Sequence, residues 1–149
     1  MRATGPAAHD GLRQASTSIT VATRGRGFVG ISAEVARWLT ASGAHDGLLT
    51  LFIRHTSASL LIQENADPDV LVDLGAALDR LAPRDAGYVH DTEGPDDMPA
   101  HIRTMLTGTS LAVPVAQGRM LLGTWQGVFV AEHRDRPHRR EVVLLFQGT

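Results

Sequence analysis

The sequence predicts an α+β fold built on antiparallel strands. In the segment 68–81, leucines recur at helical spacing, which is typical of an amphipathic helix. In the segment 16–21, hydroxyl residues alternate around β-branched ones, which favours a strand with one wetter face. Helical and strand-like segments follow one another without a regular βαβ alternation, so antiparallel pairing is favoured over a doubly wound sheet.

Three segments are predicted to be helices, and cap residues can be named for two of them. Asp67 offers a side-chain acceptor at a helix start, and Pro68 suits the first helical position. Ser32 is the predicted N-cap of an earlier helix, and Gly43 stands where a left-handed C-cap is expected. The predicted helices are 33–42, a segment from 67–68 that closes at Pro83, and 97–108.

The remaining apolar runs are predicted to be strands of a single domain. Residues 1–11 carry little apolar patterning and are predicted to form a mobile tail, which leaves 12–149 as the domain. Besides the first strand, the predicted strands are 48–54, 58–63, 110–115, 124–133 and 141–147.

Composition excludes several partners. The 149 residues carry a formal charge of −2, which provides no basic field for a nucleic-acid backbone. No apolar run approaches the roughly 20 residues of a membrane span, and the start lacks the apolar core of a signal peptide. We therefore expect a cytoplasmic protein that acts without nucleic acid or membrane.

The sequence contains neither cysteine nor lysine, which excludes several catalytic mechanisms and binding motifs. The chain has no cysteine, and all 14 basic residues are arginine. A disulfide framework, a thiolate nucleophile, a cysteine-bound zinc, a Schiff base and a P-loop lysine are thereby excluded. Carboxylate, histidine, hydroxyl and arginine chemistry remains.

The stretch EGPDDMPAHI holds the strongest candidate site. Asp97 and His101 are four residues apart, so they share one face if the helix extends back that far. Such a pair can hold a divalent metal, or the carboxylate can fix the imidazole tautomer. Alternatively, Asp96 or Asp97 simply caps the helix. His55, His90 and His133 also lie at the ends of predicted elements, where side chains from separate segments can converge.

The predicted strand 124–133 carries a second group of candidates. Alternation places Trp125, Gly127 and His133 on one face, where Gly127 allows a ligand or another backbone to approach closely. Trp125 can equally be a core or subunit-interface anchor. Arg134 and its neighbours in 139–140 can hold phosphate by forked hydrogen bonds, although loop arginines are usually only solvated.

Four motifs resemble the YjbQ-like family in order and spacing. They are HTSASLLIQENADP, EGPDDMPAHI, GRMLLGTWQG and EHRDRPHRR, and the resemblance runs from about residue 24 to the C-terminus. It implies a two-sheet antiparallel β-sandwich with two to three helices, assembled as a homotrimer. Composition and periodicity alone predict the α+β class but not the trimer.

The resemblance also implies an activity, since the family is associated with secondary thiamine-phosphate synthesis. In that reaction a hydroxymethylpyrimidine pyrophosphate joins a thiazole phosphate and pyrophosphate leaves, with no organic cofactor. By motif, His90, His101 and His133 correspond to a metal-binding histidine cluster, and Asp97, His101 and His133 are the expected catalytic residues. The expected substrate-binding residues are Thr56, Ser57, Glu64, Asn65, Trp125, Gln126 and Arg134.

The metal expected for this reaction and the metal expected for these ligands differ. Three histidines form a zinc-type site, whereas pyrophosphate transfer usually employs magnesium, which prefers oxygen ligands. The synthase reaction can therefore be a secondary activity. One alternative is a metal-dependent hydrolase of a small phosphorylated or cyclic substrate, and another is a non-catalytic trimeric module that binds a metabolite or anion.

Overall fold

The computed structural model describes residues 11–149. Ten residues of the predicted tail, 1–10, lie outside this range. The strands in chain order are β1 (Arg13–Ala22), β2 (Gly27–Gly30), β3 (Gly47–Ile53), β4 (Ala58–Glu64), β5 (Ser110–Ala116), β6 (Arg119–Met120), β7 (Gln126–Glu132) and β8 (Arg139–Gly148). The helices are α1 (Ser32–Ser42), α2 (Pro68–Leu81) and α3 (Asp97–Thr107).

The described strands form two antiparallel sheets. The larger has the order β1-β8-β3-β5-β6, and the smaller has the order β2-β7-β4. The predicted α+β class with two antiparallel sheets is thereby confirmed, while the homotrimer stays a prediction. No helix among residues 11–149 is long and apolar enough to cross a membrane.

One apolar core joins residues from both sheets and from α1. In β8, Val142, Leu144 and Phe146 alternate with less buried neighbours and are fully buried. This period of two is what a strand with one core-facing side requires. The smaller sheet contributes Val128 and Val130 of its central strand β7 to the same core.

The structure confirms two of the three predicted helix caps. The Asp67 carboxylate accepts a hydrogen bond from the Asp69 backbone N–H at 3.0 Å, and Gly43 has the left-handed φ of 69°. Ser32 does not cap α1, because the cap residue is Ile31 and no side chain bonds there. The Ser32 hydroxyl instead accepts a hydrogen bond from Val128 N–H, which fastens α1 to β7.

The predicted strand 124–133 is shorter than its pattern suggests. It begins at Gln126, and its next six residues are all buried, on both faces. β7 lies between β2 and β4, and its two faces are covered, so one-sided alternation does not describe it. Trp125 precedes the strand and its side chain is exposed. In α2 the leucine stripe is only partly covered, since no residue of that helix is buried.

Candidate metal centre

Three side chains meet at the start of α3. His90, Asp97 and His101 each offer one ligand atom, and these atoms lie within 4.8 Å of one another. The Asp97 Oδ2 atom is 2.8 Å from His90 Nε2 and 3.3 Å from His101 Nε2. Asp97 and His101 face each other across one turn of α3, as their spacing predicts, and His90 comes from the preceding loop.

A backbone carbonyl fixes the orientation of His101. The Nδ1 atom of His101 is 3.1 Å from the carbonyl oxygen of Thr56. A carbonyl only accepts, so Nδ1 carries the proton and, in the neutral ring, the Nε2 lone pair points toward Asp97. A lone pair facing a carboxylate oxygen is unfavourable unless a proton or a metal cation lies between them. The donor set therefore fits a metal ion.

Arg134 holds the metal-facing carboxylate from behind. Its Nη1 donates to Asp97 Oδ1, its Nε donates to Asp96 Oδ2 at 3.0 Å, and its Nη2 donates to the Glu93 carbonyl at 2.9 Å. Burial alone would raise the pKa of Asp97. The hydrogen bond from His90 and the charge of Arg134 outweigh that effect, so the pKa is lowered and the carboxylate is ionised.

The alternative role of Asp96 as a helix cap does not appear in the structure. Asp96 stands at the cap position of α3, but its side chain makes no capping hydrogen bond. Its Oδ2 accepts instead from Arg134 and from the Asp135 backbone N–H at 2.9 Å. Arg134, expected to bind substrate, has all three guanidinium nitrogens engaged in fixing this loop.

His133 is not brought into the cluster. Its side chain is 2% exposed, and its Nε2 lies 2.8 Å from the Ser59 hydroxyl. Burial, followed by the nearby charge of Arg103, lowers the pKa of His133 to about 4, so the ring is neutral. One ring nitrogen is thus committed to a buried hydroxyl, and Asp97 takes the place expected for a third histidine.

The expected substrate-binding residues separate into two groups at opposite ends of the β4–β7 pair. Ala58 pairs with Glu132 at one end, and Glu64 pairs with Gln126 at the other. Six residue steps of about 3.3 Å put these ends about 20 Å apart. Thr56, Ser57 and Arg134 lie at the first end, whereas Glu64, Asn65, Trp125 and Gln126 lie at the second. The two groups do not share a pocket within one chain.

The sequence reasoning missed a buried ion pair beside the site. Glu132 is 1% exposed. The single N–H at Arg140 Nε is shared between the two carboxylate oxygens of Glu132, at 3.0 and 3.1 Å, and the Thr23 hydroxyl donates to the same carboxylate at 2.6 Å. Sequence reasoning places Arg140 in a loop, whereas it lies on β8 and is buried. Its place opposite Val21 in the β1–β8 ladder is a matter of register, which the sequence does not supply.

Comparison with known proteins identifies the family. A family model described as "UPF0047 protein YjbQ-like" matches residues 17–149. The chain belongs to the UPF0047 YjbQ-like family. It is 52% identical to UPF0047 protein sll1880 of Synechocystis over 138 residues, which cover 92% of this chain and 94% of that one. It is 43% identical to UPF0047 protein YjbQ of Salmonella typhimurium, covering 88% and 96%.

Two solved structures share the fold. The conserved hypothetical protein TT1486 of Thermus thermophilus superposes with a TM-score of 0.77 at 41% identity, covering 86% of this chain and 97% of that one. A YbjQ-like protein of Sulfolobus solfataricus gives a TM-score of 0.86 at 21% identity, covering 93% and 100%. The second likeness shows the fold alone.

These comparisons confirm the resemblance but not the activity inferred from it. The UPF0047 relatives are named for the family alone, and the name of the Sulfolobus protein describes its function as unknown. The prediction of a thiamine phosphate synthase is therefore wrong.

We expect ionised Glu132 to make a large contribution to folding stability that the protein loses in acid. Burial would raise its pKa, but hydrogen bonds from Arg140 and Thr23 outweigh burial and lower it from 4.5. The stabilisation is therefore present above that value and is lost as pH falls through the lower, folded-state pKa. We expect Glu132→Gln to cost about 3 to 5 kcal/mol at neutral pH, because it leaves Arg140 buried without its counter-ion.

The measurement is urea unfolding followed across an acid series, with the exposed Glu34→Gln as the matched control. The control should follow the wild-type profile, whereas Glu132→Gln should be less stable at neutral pH and lose less on acidification. Equal stability of the two variants at neutral pH would contradict a stabilising role for the pair.

Proposed function

We propose that the protein binds one divalent transition-metal ion and uses it to hydrolyse a small substrate. The ligand atoms are His90 Nε2, Asp97 Oδ2 and His101 Nε2. One observation carries the proposal: the Thr56 carbonyl directs the His101 lone pair toward an ionised carboxylate, an arrangement that a cation stabilises.

The donor set favours a zinc-type ion over magnesium. Two imidazole nitrogens and one carboxylate oxygen are ligands of catalytic zinc sites, which leave a position open, whereas magnesium prefers oxygen ligands throughout. The second oxygen of Asp97 is occupied by Arg134, which favours binding through Oδ2 alone. An ion at this position polarises a substrate oxygen and lowers the pKa of bound water.

The surrounding residues supply orientation and access. Thr56 fixes the ring of His101, and Arg134 fixes Asp97, so two of the three ligands are held by partners outside the cluster. The His90 and His101 side chains are 47% and 33% exposed, which leaves one side of the cluster open to a substrate. The Glu93 carboxylate, whose Oε2 is 3.6 Å from His90 Nε2, lies at the edge of the cluster, where it can accept a proton from a water molecule that attacks the substrate.

A homotrimer remains the assembly that we propose. The partly covered apolar stripe of α2, together with exposed Val72 and Leu81, supports contact with a further chain. Light scattering of the purified protein measures the mass, and a monomer at micromolar concentration would contradict this assembly.

The first test of the proposed function is the metal content of the purified, untagged protein. We expect about one zinc or similar ion per chain, and loss of that ion in His101→Ala and Asp97→Ala, because each removes a ligand. The wild-type protein should also hydrolyse members of a panel of phosphate esters and cyclic substrates, with the rate abolished by a chelator and restored by the ion.

The matched control is His45→Ala, which removes an exposed imidazole that pairs with the Asp46 carboxylate, outside the cluster. Retention of the ion by both ligand variants would contradict the assigned site. A stoichiometric ion with no turnover of any substrate would instead favour a non-catalytic binding module. Circular dichroism of each variant separates loss of the ion from loss of the fold.

A second prediction concerns the residue behind the ligands. Arg134→Gln should keep all three ligands but weaken metal binding by about 10- to 100-fold, because Asp97 loses the partner that orients it. Competition with a chromophoric chelator measures the affinity. Arg136→Gln, two residues away with no role in holding Asp97, should bind as the wild-type protein does, and equal weakening in both variants would contradict the positioning role.

A further inference from the structure

A cavity lies beside the end of β3 and the start of β8, and none of its lining residues is a metal ligand. Its volume is about 520 Å³. The lining residues are Phe52, Ile53, Arg54, His55, Thr56, Ser57, Thr109 and Arg140. The His55 and Arg140 side chains approach each other at their Nδ1 and Nη1 atoms. Both of these atoms are hydrogen-bond donors.

The backbone sets the tautomer of His55. The Glu141 backbone N–H donates to His55 Nε2 at 2.8 Å, so this nitrogen is the acceptor. Burial, followed by the charge of Arg140, lowers the pKa of His55, and the ring is neutral at neutral pH. A neutral ring with Nε2 unprotonated carries its hydrogen on Nδ1. The Nδ1 atom of His55 is therefore a donor.

This donor faces a second donor. Arg140 is 4% exposed, and its Nε and Nη2 atoms bind Glu132 and Ser57. Its Nη1 atom lies 3.4 Å from His55 Nδ1 and bonds no acceptor atom among residues 11–149. A guanidinium nitrogen cannot accept, so two N–H groups converge with no protein acceptor between them.

Ser57 adds a third donor to the same wall. Its hydroxyl oxygen accepts from Arg140 Nη2 at 3.1 Å, which leaves its hydrogen free to turn toward the cavity. We propose that this cavity binds an oxyanion, the carboxylate or phosphoryl group of a small molecule, through Arg140 Nη1, His55 Nδ1 and Ser57 Oγ. The site is separate from the metal centre and does not require the ion.

The charges around the cavity determine which groups fit. Glu132 balances Arg140, and Glu141 is engaged by Arg54 at 3.0 Å and by the Ser18 hydroxyl at 3.1 Å. The cationic and anionic groups thus nearly cancel, and recognition rests on converging donors rather than on net charge. A group with several acceptor oxygens on one atom matches three donors, whereas a cation does not.

The test is nuclear magnetic resonance of the histidine ring nitrogens in the wild-type protein, titrated with inorganic phosphate and separately with acetate. We expect His55 in the Nδ1–H tautomer before any addition, and a saturable shift of its ring nitrogens with one or both anions. Saturation by phosphate alone would identify a phosphoryl site, and saturation by acetate alone would identify a carboxylate site.

The variant Ser57→Ala removes one donor and leaves the Glu132–Arg140 pair in place, so it should weaken anion binding by at least about tenfold. His45→Phe, at the other end of β3, is the matched control and should bind normally. An Nε2–H tautomer of His55, or the absence of a saturable ring shift with both anions, would overturn the proposal. Addition of a chelator should leave the titration unchanged, and abolition by the chelator would overturn its independence from the metal centre.

Discussion

The ion pair between Arg134 and the adjacent carboxylates Asp96 and Asp97 is the interaction on which the site depends. It joins the segment after β7 to the first turn of α3, two parts of the chain that are far apart in sequence. The pair also fixes which oxygen of Asp97 faces the two histidines. Without this ion pair, the orientation of Asp97 toward His90 and His101 would not be fixed.

The end of β7 organises both sites through three consecutive residues. Glu132 points into the buried pair with Arg140, His133 bonds the Ser59 hydroxyl, and Arg134 reaches the start of α3. Thr56 and Ser57, which come just before β4, lie beside this end of β7. The Thr56 carbonyl orients His101, and the Ser57 hydroxyl contacts Arg140. The end of a strand whose last six residues are buried thereby positions the metal centre and the adjacent cavity together.

Local patterns predicted the features that depend on neighbours in sequence. The cap at Asp67 and the pairing of Asp97 with His101 follow from spacing on a helix, and the structure contains both. The prediction of two sheets came from the family resemblance and not from local patterns. The features that spacing did not predict depend on distant partners: Ser32 bonds β7 instead of capping α1, and Arg134 binds two carboxylates.

Register and burial explain the remaining differences. His133 was grouped with the other histidines by motif, yet it is buried against Ser59, and nothing local distinguishes a buried imidazole from a ligand. Likewise, Trp125 and Thr56 were expected in one pocket, but the length of the β4–β7 pair places them at opposite ends. Motifs that are adjacent in a family signature need not be adjacent in space.

X-ray absorption spectroscopy of the metal-loaded wild-type protein tests the central claim most directly, because it counts the imidazole ligands of the bound ion. The account predicts two imidazoles with oxygen in the remaining positions, corresponding to His90, His101 and Asp97. Three imidazoles, as the histidine-cluster prediction with His133 requires, or a shell of oxygen alone would contradict it.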